Sequence, residues 1–182
     1  MTEIKQVRLS GLGGQGIVLT GLLLGQAGVI DGKYVSGSNS YGAQARGSQC
    51  RAEIVFSDRP VDYPHLIVAD FLVSMSQGTY DLYSKEVKEG AGLILYDQGF
   101  VTPREGLALE QRGVPATEGS VKELKNKQAA NIVLLGAFVE ITGIVSEKAI
   151  REAISVHISE RFQALNLKTL QLGMKLRRRS HG

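Results

Sequence analysis

The chain has a single cysteine, Cys50, and no tryptophan. One thiol cannot close a disulfide within the chain, nor supply the four thiolates that hold an iron–sulfur cluster. The three histidines, His65, His157 and His181, stand too far apart for metal-ligand spacing. Aromatic residues make up only 6%, which leaves no stacking platform for bases. The net charge of +3 is mild and no long basic stripe precedes the last residues, so a nucleic-acid partner is not expected. No apolar run approaches the ~20 residues of a membrane span, and Met1 to Lys5 has no apolar signal core. These absences predict a cytoplasmic protein with a reduced thiol.

Three motifs are missing as well. No Lys-Ser or Lys-Thr pair closes a glycine run, so there is no P-loop. A dinucleotide fold needs a carboxylate at the end of its second strand to hold the ribose. Ser36, Ser38 and Asn39 stand there instead, and Asp31 precedes the strand, which disfavours NAD. No Gly-Asp-Gly with a downstream Asn-Asn pair is present to hold magnesium and a diphosphate cofactor. Ser40 and Ser48 have no histidine near them in sequence, and only Arg51 stands near Cys50 to lower its pKa, so nucleophilic catalysis has no candidate pair. The chain reads as a part that completes a site on a larger assembly.

What is present begins with Gly11-Leu12-Gly13-Gly14-Gln15-Gly16. Val7 and Leu9 alternate with polar residues before it, as in a strand. The apolar run from Ile17 to Gly25 after it is too long for a loop. Strand, glycine turn and helix form the layout of a phosphate-binding βα unit, with the first N–H groups of the helix aimed at the ligand. The same glycines would also serve a turn that merely packs a helix on a sheet. The helix is apolar on nearly every side, which predicts burial on nearly every side and a partner beyond one sheet. Gly21 and Gly25 would let another element come close.

Farther along, Tyr34-Val35-Ser36 reads as a short strand. Residues Gly37 to Gln49 read as a long, small and polar loop with Tyr41 and Arg46 in it. Cys50 to Phe56 alternates as a half-exposed strand, and Leu66 to Ala69 reads as a central parallel strand. A helix is expected over Phe71 to Val87, with a possible break at Gly78, and a buried strand over Leu93 to Tyr96. Ser120-Val121-Lys122-Glu123 matches a capping box that would start a helix. Asn131–Thr142, Ser146–His157 and Phe162–Leu176 read as helices, the last with Leu165, Leu167, Leu170 and Leu172 on its face. The sum is one α/β domain over residues 1–182: a sandwich with a mostly parallel sheet, a glycine-rich β1–α1 turn and a helical C-terminal part. The basic tail from about residue 176 reads as a frayed helix end whose cations oppose the dipole.

Several segments together resemble a known family. They are Gly11 to Gly16, Ser40-Tyr41-Gly42 with Arg46-Gly47, Ser57-Asp58, Val61-Asp62-Tyr63-Pro64, Asn131 and Gly136. In this order they are similar to the gamma subunit of 2-oxoacid:ferredoxin (acceptor) oxidoreductases, most nearly that of the 2-oxoglutarate enzyme. The family often has an acidic residue where Gln44 stands and a glycine where Ser48 stands. The resemblance implies an enzyme that oxidatively decarboxylates a 2-oxoacid, passes the acyl group to coenzyme A and sends two electrons to ferredoxin or another acceptor. It implies thiamine diphosphate, magnesium and iron–sulfur clusters on alpha, beta and ferredoxin-like partner subunits, and none on this chain. It also implies coenzyme A contacts from Gly11, Gly13, Gly14, Gln15, Gly16, Ser40, Tyr41, Gly42 and Arg46. The alternatives are a gamma subunit for pyruvate, 2-oxoisovalerate or indolepyruvate, a stand-alone nucleotide- or phosphate-binding module, and a structural subunit with an empty glycine turn.

Overall fold

The computed structural model describes residues 4–42, 47–61, 63 and 65–179. Its sheet has six strands: β1 (Ile4–Leu12), β2 (Tyr34–Tyr41), β3 (Gln49–Ser57), β4 (Phe71–Ser74), β5 (Leu93–Asp97) and β6 (Glu110–Val114). Their spatial order is β2-β3-β1-β4-β5-β6. The β1, β4, β5 and β6 strands run parallel, while β3 is antiparallel to both β1 and β2. The expected mostly parallel α/β sandwich is therefore the fold, with an antiparallel hairpin added on one side of β1.

Helix α1 (Ile17–Ile30) follows the glycine turn, and α4 (Ala130–Thr142), α5 (Glu147–His157) and α6 (Glu160–Arg179) form the helical C-terminal half. With β1 and β3 they enclose the main core, where Val7, Leu9, Ile54 and Phe56 meet Leu23, Leu24, Val133 and Ile150. The other face of the sheet is covered by α2 (Gln77–Tyr83), over Leu72, Tyr80 and Ile94. Covering both faces explains the unbroken apolar character of β4 and β5. Between α1 and β3 the approach is close: a Cβ on Gly21 would lie 2.6 Å from that of Ala52. Gly28, not Gly25, makes the second close contact, against Phe56.

Several local expectations are corrected. Leu66 to Ala69 is not a strand: Ile67 is 70% exposed, and the buried parallel strand is Phe71–Ser74, the supposed start of a helix. The helix begins only at Gln77, where Ser76 caps it through Thr79 N, and it runs unbroken through Gly78. Leu72, Met75, Tyr80 and Tyr83 are core residues as expected. β2 extends to Tyr41 and β3 begins at Gln49, so residues 37–41 and Gln49, expected in the polar loop, are strand. β3 is buried along nearly its whole length, because its second face carries ion-paired rather than solvated polar groups. There Glu53 accepts from Arg8 Nε at 2.9 Å, and Arg8 also pairs with Glu86 and stacks over Tyr83. Helix α3 (Ala116–Leu124) starts four residues before Ser120. Its cap comes from far away in sequence: buried Asp97 accepts from Thr117 N and Oγ1 at 3.2 and 2.5 Å. In α6 the buried stripe is Thr169, Leu170, Gly173 and Met174, and Leu165 is exposed.

The α4 and α6 helices cross in backbone contact. A Cβ on Gly136 would lie 2.2 Å from Leu170 O, and one on Gly173 would lie 1.9 Å from Val133 O. Among the described residues, no helix is long and apolar enough to cross a membrane.

Candidate functional site

Parallel strands place their carboxyl ends at one edge, and α/β ligands bind where neighbouring connections leave in opposite directions. Here that point lies between β1 and β4. From β1 the chain turns through residues 13–16 into α1 on one face; from β4 it turns through Met75 and Ser76 into α2 on the other. Gly14 and Gly16 carry φ of 96° and 74°, values that a side chain strains. Space beyond Gly14 is open, with nothing within 4 Å of where its Cβ would be. No side chain caps α1 and no acid sits in its first turn, so the positive end of the dipole faces the crevice.

The polar loop does reach this turn, by a different route from a doubly wound connection. It closes the β2–β3 hairpin, and β3 pairs with β1 up to Leu12↔Gln49. Gly13 N donates to Ser48 O at 2.8 Å, and Gly42 N donates to Gln49 O at 2.9 Å. Ser40 and Tyr41 lie on β2 itself, both exposed. Arg46 and Gln44 lie outside the described residues.

Gln15 has an inward role. Its Oε1 accepts from Leu12 N at 2.6 Å, and its Nε2 donates to Met75 O at 3.2 Å. The side-chain amide thus ties the glycine turn to the β4–α2 junction. A Cβ on Gly11 would lie 2.5 Å from that same Oε1, so Gly11 makes room for Gln15. Beneath the junction, Ser10, Ser74, Ser76 and Thr79 form a buried chain of hydroxyls, with the Ser76–Thr79 pair at 2.9 Å.

Asn131 completes the turn from the other side. Its Nδ2 lies 3.3 Å from both Gly16 O and Thr20 Oγ1, and Thr20 Oγ1 donates to Gly16 O at 3.0 Å. A Cβ on Gly16 would lie 2.3 Å from that Nδ2. Asn131, one of the residues that carry the family resemblance, and Thr20 thus back the turn, a position that motif reading assigns to neither. The available signal is that each is a polar residue inside an apolar helical run.

Two other groups are occupied structurally. Arg51, opposite Ser10 across β1 and β3, donates to Tyr83 Oη at 3.2 Å and lies 3.5 Å from Glu53. The Tyr83 hydrogen bond holds its guanidinium above even the usual arginine value. Cys50 is buried, and burial pushes its thiol up, away from nucleophilic use. Among the described residues no three His, Cys, Asp or Glu side chains gather where they could hold a metal ion.

A glycine turn closed by a neighbouring hairpin, at the switch point of a mostly parallel sheet backed by a helical C-terminal half, defines a single α/β sandwich class of domain. More narrowly, the chain belongs to the family described as pyruvate ferredoxin/flavodoxin oxidoreductase, whose profile matches residues 6–176. It is 38% identical over 177 residues to the 2-oxoglutarate synthase subunit KorC of Methanocaldococcus jannaschii, covering 94% of this chain and 93% of that one. KorC of Methanothermobacter thermautotrophicus is 37% identical, with 97% of each chain covered. The crystal structure of a keto/oxoacid ferredoxin oxidoreductase gamma subunit from Geobacter sulfurreducens superposes with a TM-score of 0.84 at 33% identity, over 96% of this chain and 99% of that one. The resemblance read from the glycine turn and the Ser-Tyr-Gly segment is thereby established at the level of the gamma subunit.

Proposed function

We propose that this chain is the gamma subunit of a 2-oxoglutarate:ferredoxin (or other acceptor) oxidoreductase, and that it helps bind coenzyme A while completing the complex. The observation that carries the reading is the full-length likeness to KorC subunits, joined to a crevice open at the end of α1. Oxidative decarboxylation to succinyl-coenzyme A needs an electron sink and a carbanion-stabilising group. Thiamine diphosphate, magnesium and iron–sulfur clusters would be carried by alpha, beta and ferredoxin-like partners of a cytoplasmic complex, a reading with which this chain's single cysteine and lack of a thiamine motif agree.

At the crevice, phosphate oxygens of coenzyme A would meet the free end of α1 and the backbone around Gly14 and Gly16. Gly13 is engaged by Ser48, and Gln15 by Met75, so these two act by shaping the turn. Ser40, Tyr41 and Gly42 lead into the loop that carries Arg46, the cation assigned to the ligand. The expected result of Arg46→Ala is a KM for coenzyme A raised about ten- to a hundredfold, from loss of a charge-assisted hydrogen bond. The measurement is acceptor reduction by the reassembled enzyme, with 2-oxoglutarate, pyruvate and 2-oxoisovalerate compared and coenzyme A varied. A preference for pyruvate or 2-oxoisovalerate would replace the substrate assignment. An unchanged coenzyme A dependence in an intact complex would remove Arg46 from the site.

A further inference from the structure

The crevice has a second wall, at the carboxyl end of β5. A chain of contacts runs round the opening and returns to its start. From the glycine turn, Gln15 Nε2 reaches Met75 O. Two residues on, the Gln77 amide grips the Thr102 backbone, its Oε1 accepting from Thr102 N at 2.8 Å and its Nε2 donating to Thr102 O at 3.3 Å. Phe100 stands in the same connection, in the turn that its N–H closes on Asp97 O at 3.0 Å. The Lys127 ammonium lies over the Phe100 ring, 5.1 Å from its centroid. Asn131, four residues after Lys127, closes the circuit on Gly16 O. Lys127 is thereby held at the carboxyl edge, one helical turn (~5.4 Å along the axis) before the residue that touches the glycine turn.

Neither pairing nor local stability accounts for this lysine. Among the described residues the ion pairs engage Arg8, Arg51, Lys88, Arg104, Arg112 and Arg151, and none includes Lys127. Lys127 is exposed, and Phe100 is 42% exposed. The first turn of α4 holds no acid, so a cation just before it faces the like end of that dipole. The short 3-10 turn Lys127–Ala129 is capped without it, by Asn126 Oδ1 accepting from Gln128 N at 3.0 Å. An ammonium kept there at some cost to the helix, and steadied on an aromatic face, is set toward an anion from outside the chain. A compact point charge on a long stem suits a phosphate.

Resting on the coenzyme A reading above, we infer that Lys127 binds the 3′-phosphate of coenzyme A, with Phe100 as its positioning residue. Coenzyme A carries a 5′-diphosphate and a 3′-phosphate on one ribose. The first meets the glycine turn; the second lies along the edge toward β5. Arg104, on the same connection as Phe100, is bonded to Asp81, and Arg51 is bonded to Tyr83, so Lys127 is the cation left for it. The loop that carries Arg46 joins β2 to β3, on the other side of β1. Lys127 is then the residue by which this chain selects coenzyme A against its analogue without the 3′-phosphate.

The test is acceptor reduction by the reassembled enzyme, with coenzyme A and dephospho-coenzyme A each varied and the subunit ratio checked on a sizing column. In wild type the KM for the dephospho analogue is expected to be about ten- to a hundredfold above that for coenzyme A. Lys127→Ala should raise the coenzyme A KM to the analogue's value and leave the analogue's KM and both kcat values unchanged, as loss of a binding contact does. Lys127→Arg should keep most of the discrimination, Phe100→Leu should lose part of it, and Arg46→Ala should raise both KM values together. A wild type that does not discriminate, or a Lys127→Ala enzyme that still does, overturns the inference and leaves the coenzyme A reading standing on Arg46 and Gly16. Loss of discrimination in Arg46→Ala instead would also overturn it, by moving the 3′-phosphate to the hairpin side. A coenzyme A KM indifferent to Arg46→Ala, Gly16→Ala and Lys127→Ala alike would overturn both the inference and the reading beneath it.

Discussion

Gly173→Val is expected to lower the melting temperature by about 10 °C or more. The wall that its side chain would meet is backbone: Val133 O at 1.9 Å and Ala137 N at 2.9 Å from the new Cβ. A flexible side chain could rotate away from such a clash, but a hydrogen-bonded helix cannot. The α4–α6 pair must separate, which strips contacts from Leu134, Leu170 and Met174. Overpacking of this kind belongs to the rare class of substitutions costing about 4 kcal/mol or more. For a domain of this size each kcal/mol is worth ~2–4 °C. Gly136→Val should behave in the same way through Leu170 O. The contrasting substitution is Gly78→Ala in α2, where the nearest atom stands at 3.9 Å and helix propensity favours alanine by up to about 1 kcal/mol. Thermal melts by circular dichroism decide it: a Gly173→Val chain that melts with wild type would mean that the helices do not cross at their glycines.

The second large effect is expected at Gly16. Alanine there meets two separate obstacles, a φ of 74° and the Asn131 amide 2.3 Å from its Cβ. Positive-φ strain alone costs of order 1–3 kcal/mol. The turn would relieve it by drawing α1 away from the crevice. The expected outcome is a melting temperature several degrees lower and, on the coenzyme A reading, a KM for coenzyme A raised about tenfold or more. Asn131→Ala supplies the separating control. It removes the steric obstacle and leaves the dihedral one, so Gly16→Ala should cost less in that background, by more than the ~0.5 kcal/mol scatter of additive pairs. Additive losses would show that Asn131 does not back the turn.

The strand, turn and helix at residues 4–30 were legible because local chemistry decides them: alternation, glycines, then an apolar run. Helices α4 and α5 were legible for the same reason, although Ser146, read as the first residue of α5, is its cap. The middle of the chain was not. Leu66–Ala69 and Phe71–Ser74 are both short and apolar, and only burial on both faces distinguishes the strand from the exposed connection. The start of α3 was hidden because Asp97 caps it across 20 residues. The Ser40–Tyr41 pair looked like loop because an edge strand asks for no apolar face. At the candidate site the glycines were readable. The inward bond of Gln15 was not, because it depends on a carbonyl 60 residues away. The backing role of Asn131 was not either, since it reaches the turn across 115 residues.

The central position of β1 bears on how the chain must emerge during synthesis. Of the six described strands β1 is made first, yet its neighbours are β3, ending at Ser57, and β4, ending at Ser74. Helix α1 leaves the ribosome next, without a single charge, and its outer cover from α4 and α5 arrives only with residues 130–157. Loop closure over such separations is slow, and the exposed apolar segment meanwhile favours association. A nascent chain ended at residue 125 is therefore expected to be protease-sensitive and to precipitate on release, while one ended at residue 179 should be resistant. Equal resistance of the two would mean that the sheet closes without its helical half.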